Sequence, residues 1–404
     1  MEKPAICGGT PIRSRKLYYG HQYIDEEDIQ SVVEVLRSDY LTCGPKIGEL
    51  EEKLCRLTGA RYAVVCSNGT AALHLACMAA GIQAGDEVIT TPITFAASAN
   101  CALYCGAKPV FADINEKTYN IDPACVEVCV NEKTKAIVAV DFTGQSVELD
   151  RLMELCQEKG LVLIEDGAHV IGTSYKGRMN GSLADMTTFS FHPVKTVTGG
   201  EGGAVLTNNK EYYRRLLLYR SHGITREQEW MENPWEGPWY YEQIDLGYNY
   251  RMTDIQAALL ISQLDKLPLF SARRKEIVAR YNQAFSALPQ IALQEEIPES
   301  DTTRHLYILR LVPDQLTIDR RQFFEALAAE NICGNVHYIP TYYFPYYQRL
   351  GYQKGICPKA EKLYQEMLSL PLYYGMTDQD VEDVIRAVVR IADYFAVSAG
   401  NHTQ

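Results

Sequence analysis

The chain has no CxxC pair among its 12 cysteines, so neither a zinc site nor a thiol redox motif is indicated, and no metal is expected. Basic charge is also short. Lys and Arg number 39 against 51 Asp and Glu, a formal net charge of −12, whereas a nucleic acid partner calls for a basic face that neutralises phosphates. A sugar nucleotide needs only a few local donors and stays open. No uninterrupted apolar run approaches the ~20 residues that cross a bilayer, and the start MEKPAICGG has no apolar stretch of the kind a secretory signal carries. No nucleic acid, no membrane and a cytoplasmic setting are therefore expected. The scattered thiols, among them Cys101 with Cys105 and Cys125 with Cys129, read as small hydrophobes on helix faces.

The 404 residues are 47% hydrophobic and 22% charged, ordinary globular content and enough chain for two domains. Strand-like runs such as YAVVC and KAIVAVDF alternate with helical patterns, which predicts an α/β fold whose mainly parallel central sheet is sandwiched by helices. Asp25 is placed to cap a helix that carries Ile29, Val32, Val33 and Leu36 on one side. A long amphipathic helix from Thr253, with a break at Pro268, leads into a smaller α+β unit. The division expected is 1–265 for a large domain with an N-terminal arm and 266–404 for a small C-terminal domain.

Chemistry concentrates between residues 161 and 208. The apolar run LVLI ends in Glu165 and Asp166, which puts acids at the carboxyl end of a buried strand, where open α/β sheets bind ligands. The run MTTFSF is a second strand that delivers Ser190, His192 and Lys195 to one turn. A lysine among strand ends loses its proton more readily than a solvated one, and a neutral amine condenses with an aldehyde. That is the chemistry of a pyridoxal phosphate Schiff base. The TGGEGG run that follows precedes a strand, the wrong order for a dinucleotide fingerprint. Upstream, SNGT opens an Ala-rich helix, so Asn68, Gly69 and Thr70 are candidates to cradle a phosphate at a helix N-terminus, with a simple N-cap as the alternative.

The serine five positions before the lysine, the acid at the preceding strand end and the glycine-rich turn after it resemble the signature of the DegT/DnrJ/EryC1/StrS sugar aminotransferases, within the fold-type I pyridoxal phosphate enzymes. The resemblance runs from GHQYIDEEDI to SLPLYYGMTDQDVEDVI. It implies that Lys195 carries pyridoxal 5'-phosphate, that Asp166 pairs with the pyridine nitrogen, that Ser190 bonds the phosphate and that Phe95 stacks on the ring. It places His169 against the phenolic-oxygen side of the ring, with a packed histidine as the alternative. It makes Tyr18 and the turn Leu41, Thr42 and Gly44 candidate sugar-nucleotide contacts, along with His337 and Tyr338. In the motif GYNYRMTD, Asn249 or Arg251 is implied to complete the phosphate site of a partner subunit, hence a homodimer with shared sites. The tryptophan-rich stretch 223–254 would stack on a base or sugar or bury a dimer surface.

The activity implied is transfer of an amino group from L-glutamate to C4 of a UDP-linked 4-keto-6-deoxy-N-acetyl hexosamine, as in pseudaminic acid biosynthesis. A GDP-perosamine-type or other C4 aminotransferase is the alternative within the class. A dehydratase of this scaffold would carry histidine in place of Lys195. A non-catalytic sugar-nucleotide sensor would not need Lys195, Asp166 and Ser190 together.

Overall fold

The computed structural model describes residues 2–397. Its local elements follow from their caps. Helix α1 (Glu26–Leu36) starts with a reciprocal capping box between Asp25 and Asp28. Helix α2 (Pro45–Thr58) has proline in its first turn and ends on Gly59 in the left-handed conformation. Helices α3 (Gly69–Ala79) and α4 (Ala97–Tyr104) follow the first two strands.

The central sheet is built from β1 (Tyr62–Cys66), β2 (Glu87–Thr90), β3 (Lys108–Phe111), β4 (Thr134–Val140) and β5 (Val162–Asp166). After a short ladder of β6 (Ser174–Tyr175) and β7 (Arg178–Met179), β8 (Met186–Ser190) and β9 (Gly203–Thr207) complete it. The spatial order is β1-β9-β8-β5-β4-β2-β3. Pairings from β3 through β8 are parallel, as the alternating pattern predicts, while β9 runs antiparallel to both β8 and β1. The reason is the connection. No crossover helix separates β8 from β9, and a parallel return needs one.

The β5 pairings with β4 and β8 are apolar as far as Ile164, before Glu165 and Asp166 end the strand, and Ile137, Val138, Leu163 and Ile164 are fully buried or nearly so. Apolar packing therefore lies on both faces of the sheet: Ile164 and Val138 belong to one cluster with α3, and Ile137 and Leu163 to another with Leu152 and Leu155.

A separate core gathers Tyr281, Phe285, Leu309, Phe323, Val384 and Ile391 around a three-stranded antiparallel sheet of Ile291–Ala292, Tyr307–Leu311 and Met367–Leu370. The arm before α1 reaches this core as well, because Leu17 is buried in it and its N–H donates to Asn331 O at 2.9 Å. The two helices that lead there are Asp254–Asp265 and Leu267–Phe285. The break falls at Lys266, and Pro268 sits in the first turn of the second helix, where a missing N–H costs nothing. Among the described residues no helix is long and apolar enough to cross a membrane.

Candidate active site

The carboxyl ends of β5 and β8, the N-terminus of α3 and the segment 335–339 enclose a cavity of about 1010 Å³. It is lined by Asn68, Gly69, Thr70, Phe95, Asp166, His169, Ser190, Lys195, His337 and Tyr338, ten of the residues that the sequence singles out.

Strand alternation decides which acid faces the cavity. Asp166, only 4% exposed, lines it, while Glu165 is fully buried on the other side and accepts hydrogen bonds from Asn180 Nδ2 and Thr187 Oγ1, each at 2.6 Å. Beside Glu165, burial and then the Glu165 charge push the Asp141 carboxyl well above the usual range. Two acids at one strand end thus serve different purposes.

Asp166 Oδ2 accepts from Ser98 Oγ at 2.6 Å and Oδ1 from the Ala168 N–H at 3.2 Å. Burial raises its pKa, while Ser98, the Ala168 N–H and the Lys195 charge pull it back down. Lys195 sits in the turn after β8, its N–H bonded to His192 O at 2.9 Å. Removal from water lowers its pKa from 10.5 to about 8, against the opposing pull of Asp166. An ordinary lysine has about three neutral amines in ten thousand at pH 7; a pKa near 8 gives about one in ten.

Asn68 caps α3, with its Oδ1 accepting from the Ala71 N–H at 2.8 Å, so the capping reading holds for its side chain. The N–H groups of Gly69 and Thr70 are left over from the first helical turn, where the helix dipole favours an anion. Gly69 is required by close approach: a Cβ there would lie 2.8 Å from Ser190 Cβ. Another would be needed to move at Gly203, where a Cβ would lie 2.3 Å from Asn68 O. The packing of two glycines brings the Ser190 hydroxyl up to the open end of α3.

His169 is 6% exposed, and its ring lies 4.4 Å from that of His305. Its Nε2 is 3.3 Å from the Tyr338 hydroxyl, and its Nδ1 has no partner among the described residues. Burial, then the Lys195 charge, holds its pKa well below 6.5, so the ring is neutral. His337 is likewise neutral, pushed to about 4 by burial. Asn335 Nδ2 donates to its Nε2 at 3.2 Å, which leaves Nδ1–H to donate to Ser369 Oγ at 2.8 Å. Phe95, 63% exposed into this space, faces Tyr338 with ring centroids 6.4 Å apart.

Six expected residues do not line this cavity. Tyr18 is 60% exposed, and its neighbour Tyr19 takes the position at the wall. Leu41, Thr42 and Gly44 are engaged by the start of the helix Asp254–Asp265. Leu41 O accepts from the Asp254 N–H at 3.0 Å, Thr42 bridges Thr253, and the Gly44 N–H donates to Asp254 Oδ2 at 2.8 Å. Asn249 bridges Ser221, and Arg251 is half-buried. Tyr248 and Tyr250, on either side of Asn249, line the cavity instead, since alternate residues of an extended segment face opposite ways.

Residues that the sequence reading passed over complete the walls. Tyr248 and Tyr250 stack at 5.0 Å beside His74, whose Nδ1 lies 3.1 Å from the Tyr250 hydroxyl, and Tyr104 stands at the same wall. The repeated Tyr of GYNYR was the available signal. Ser98, one helical turn after Phe95, was legible only as a helix residue.

Comparison with known proteins agrees with this geometry. The chain is 40% identical over 369 residues to the UDP-4-amino-4,6-dideoxy-N-acetyl-beta-L-altrosamine transaminase of Campylobacter jejuni, covering 91% of this chain and 95% of that one. It is 42% identical over 378 residues to the spore coat polysaccharide biosynthesis protein SpsC of Bacillus subtilis, covering 93% and 97%. The structure of Helicobacter pylori PseC, an aminotransferase involved in the biosynthesis of pseudoaminic acid, superposes with a TM-score of 0.87 at 33% identity, covering 94% of this chain and all of that one. The family model of the DegT/DnrJ/EryC1/StrS aminotransferases matches residues 22–389, and the chain belongs to that family.

Proposed function

We propose that this aminotransferase moves an amino group from L-glutamate to C4 of a UDP-linked 4-keto-6-deoxy-N-acetyl hexosamine, with pyridoxal 5'-phosphate as cofactor, in a cytoplasmic homodimer. The observation that carries the chemistry is Lys195, a lysine drawn down to about 8, on one cavity with the buried Asp166. The donor set fits the cofactor group by group: an amine for its aldehyde, an acid for its ring nitrogen, and a hydroxyl at an open helix end for its phosphate. The substrate assignment is supported by the similarity to the Campylobacter and Helicobacter proteins.

When bound, pyridoxal phosphate supplies an aldehyde that accepts and returns the amino group and a ring that takes up electrons from the reacting carbon. The chain does the rest. Ser190 and the Gly69 and Thr70 N–H groups hold the phosphate, and Phe95 covers one ring face. Asp166 keeps the pyridine nitrogen protonated. Lys195, neutral in about a tenth of molecules at pH 7, has the proton affinity to take a proton from the substrate carbon and return it. The neutral His169 and Tyr338 orient the phenolic side without adding charge. Asn249 and Arg251, turned away from this chain's own cavity, are assigned to the phosphate of the partner's.

Incubation with pyridoxal phosphate, L-glutamate and a panel of UDP-, GDP- and dTDP-linked 4-keto sugars, followed by mass and product analysis, tests this reading. Amination confined to the UDP-linked N-acetylated sugar is expected. Conversion of a GDP or dTDP sugar instead would leave the lysine chemistry standing and overturn the substrate.

A further inference from the structure

Beside Asp166, along the cavity wall, runs a short chain of buried hydroxyls. Ser98, in the first turn of α4 and 1% exposed, places Oγ 2.6 Å from Asp166 Oδ2. Thr94, 2% exposed, places Oγ1 2.6 Å from Ser98 Oγ. Hydroxyl hydrogens can turn either way, so the direction of the chain follows from the charge at its end. An ionised Asp166 has no proton to give. Ser98 must then donate to it, which leaves the Ser98 oxygen to accept from the Thr94 hydroxyl. Every hydroxyl hydrogen is used.

The opposite direction fails. If Asp166 carried the proton on Oδ2, it would donate to Ser98, Ser98 would donate to Thr94, and the Thr94 hydrogen would need an acceptor. Among the described residues, Ser98 is the only hydrogen-bond partner of Thr94 Oγ1. A buried hydroxyl hydrogen without an acceptor is unfavourable. These two side chains, four residues apart, therefore disfavour a proton on Oδ2, and donation from Ser98 holds the Asp166 pKa down in a place where burial alone raises it.

We propose that Ser98, backed by Thr94, is a positioning residue for the cofactor: the two hydroxyls saturate Asp166 Oδ2, keep the carboxylate ionised, and leave Oδ1 to take the N–H of the pyridine ring. Oδ1 has room for it, because its protein donor is the longer contact from the Ala168 N–H at 3.2 Å. The proposal rests on the reading of Asp166 as the partner of the ring nitrogen.

The test loads the full chain with pyridoxal phosphate labelled with nitrogen-15 in the ring and follows that nitrogen by NMR in the wild type and in Ser98→Ala, Ser98→Thr, Thr94→Val and Asp166→Asn, alongside steady-state kinetics. Ser98→Ala is expected to move the ring nitrogen toward its unprotonated position and to lower kcat about ten- to a hundredfold, the weight of one hydrogen bond to a charged group, with KM for the keto sugar little changed. Ser98→Thr, which keeps the hydroxyl, is expected to restore both, and Thr94→Val to shift the nitrogen the same way by less. If Asp166→Asn moves the ring nitrogen while Ser98→Ala and Thr94→Val leave it in place, the hydroxyl chain has no such role and the proposal falls. If Asp166→Asn also leaves it in place, the pairing of Asp166 with the ring falls, and the proposal with it. Should Ser98→Ala fail to fold, Thr94→Val and Ser98→Thr give the same decision.

Discussion

Gly69 and Ser190 meet so closely that a Cβ on residue 69 would lie 2.8 Å from the Cβ of Ser190. The contact joins the open N-terminus of α3 to the end of β8, where the proposed function places the cofactor's phosphate. Gly69→Ala is expected to destabilise the fold by about 1–3 kcal/mol, as overpacking does, and to weaken cofactor retention. Adding Ser190→Gly removes the clash but also the hydroxyl. The double variant should therefore recover thermal stability and not cofactor affinity, as measured by melting and by cofactor fluorescence. Recovery of both would remove Ser190 from the phosphate site.

Lys195→Ala is expected to abolish turnover. Borohydride treatment of the loaded wild type should leave the cofactor's mass on the Lys195 peptide, and the variant should show none. Steady-state transamination by Lys195→Ala would sink the assignment.

The same lysine predicts a pH effect on stability. Its pKa falls from 10.5 to about 8 on folding, so between these values the unfolded chain binds the proton and the folded chain does not. Stability from this group therefore rises with pH across that window, and below about 8 the group is destabilising. Lys195→Met should stabilise the cofactor-free protein at neutral pH and flatten its stability between about pH 8 and 10.5, as read by chemical denaturation.

The adjoining His169 and His305 act at the other end of the scale. Burial holds both well below 6.5, so as pH falls below about 6.5 the unfolded chain gains protons that the folded chain refuses. Stability is lost over that range. His305→Gln should move the midpoint of acid unfolding to lower pH, and an unchanged midpoint would show that other groups govern it.

Asn249 and Arg251 predict complementation. Asn249→Ala with Arg251→Ala in one chain, and Lys195→Ala in the other, should each be inactive alone. After equal mixing and reassociation, half the dimers pair the two chains and each holds one intact site, so about a quarter of wild-type activity should return. No return would mean that these residues do not serve a partner's site.

Much of the site was legible because its chemistry is written in adjacent residues. LVLIED and MTTFSF, read as buried strands, locate Asp166, Ser190 and Lys195 at strand ends, and SNGT followed by an alanine-rich run locates a helix start. The parallel sheet follows from alternation, and the caps at Asp25 and Asn68 from side chains that reach only three residues on. These are local periodicities and short spacings, which a one-dimensional string carries.

The tertiary structure decided what depends on distance through space. It turned Glu165 to the far face of the sheet and Asp166 into the cavity, reversed β9, and put Ser98 against Asp166 across 68 positions of sequence. It set Tyr338 beside His169, and it placed Tyr19, not Tyr18, at the wall. It also lowered the Lys195 pKa, because desolvation is a property of the enclosure, and no neighbour in sequence supplies it.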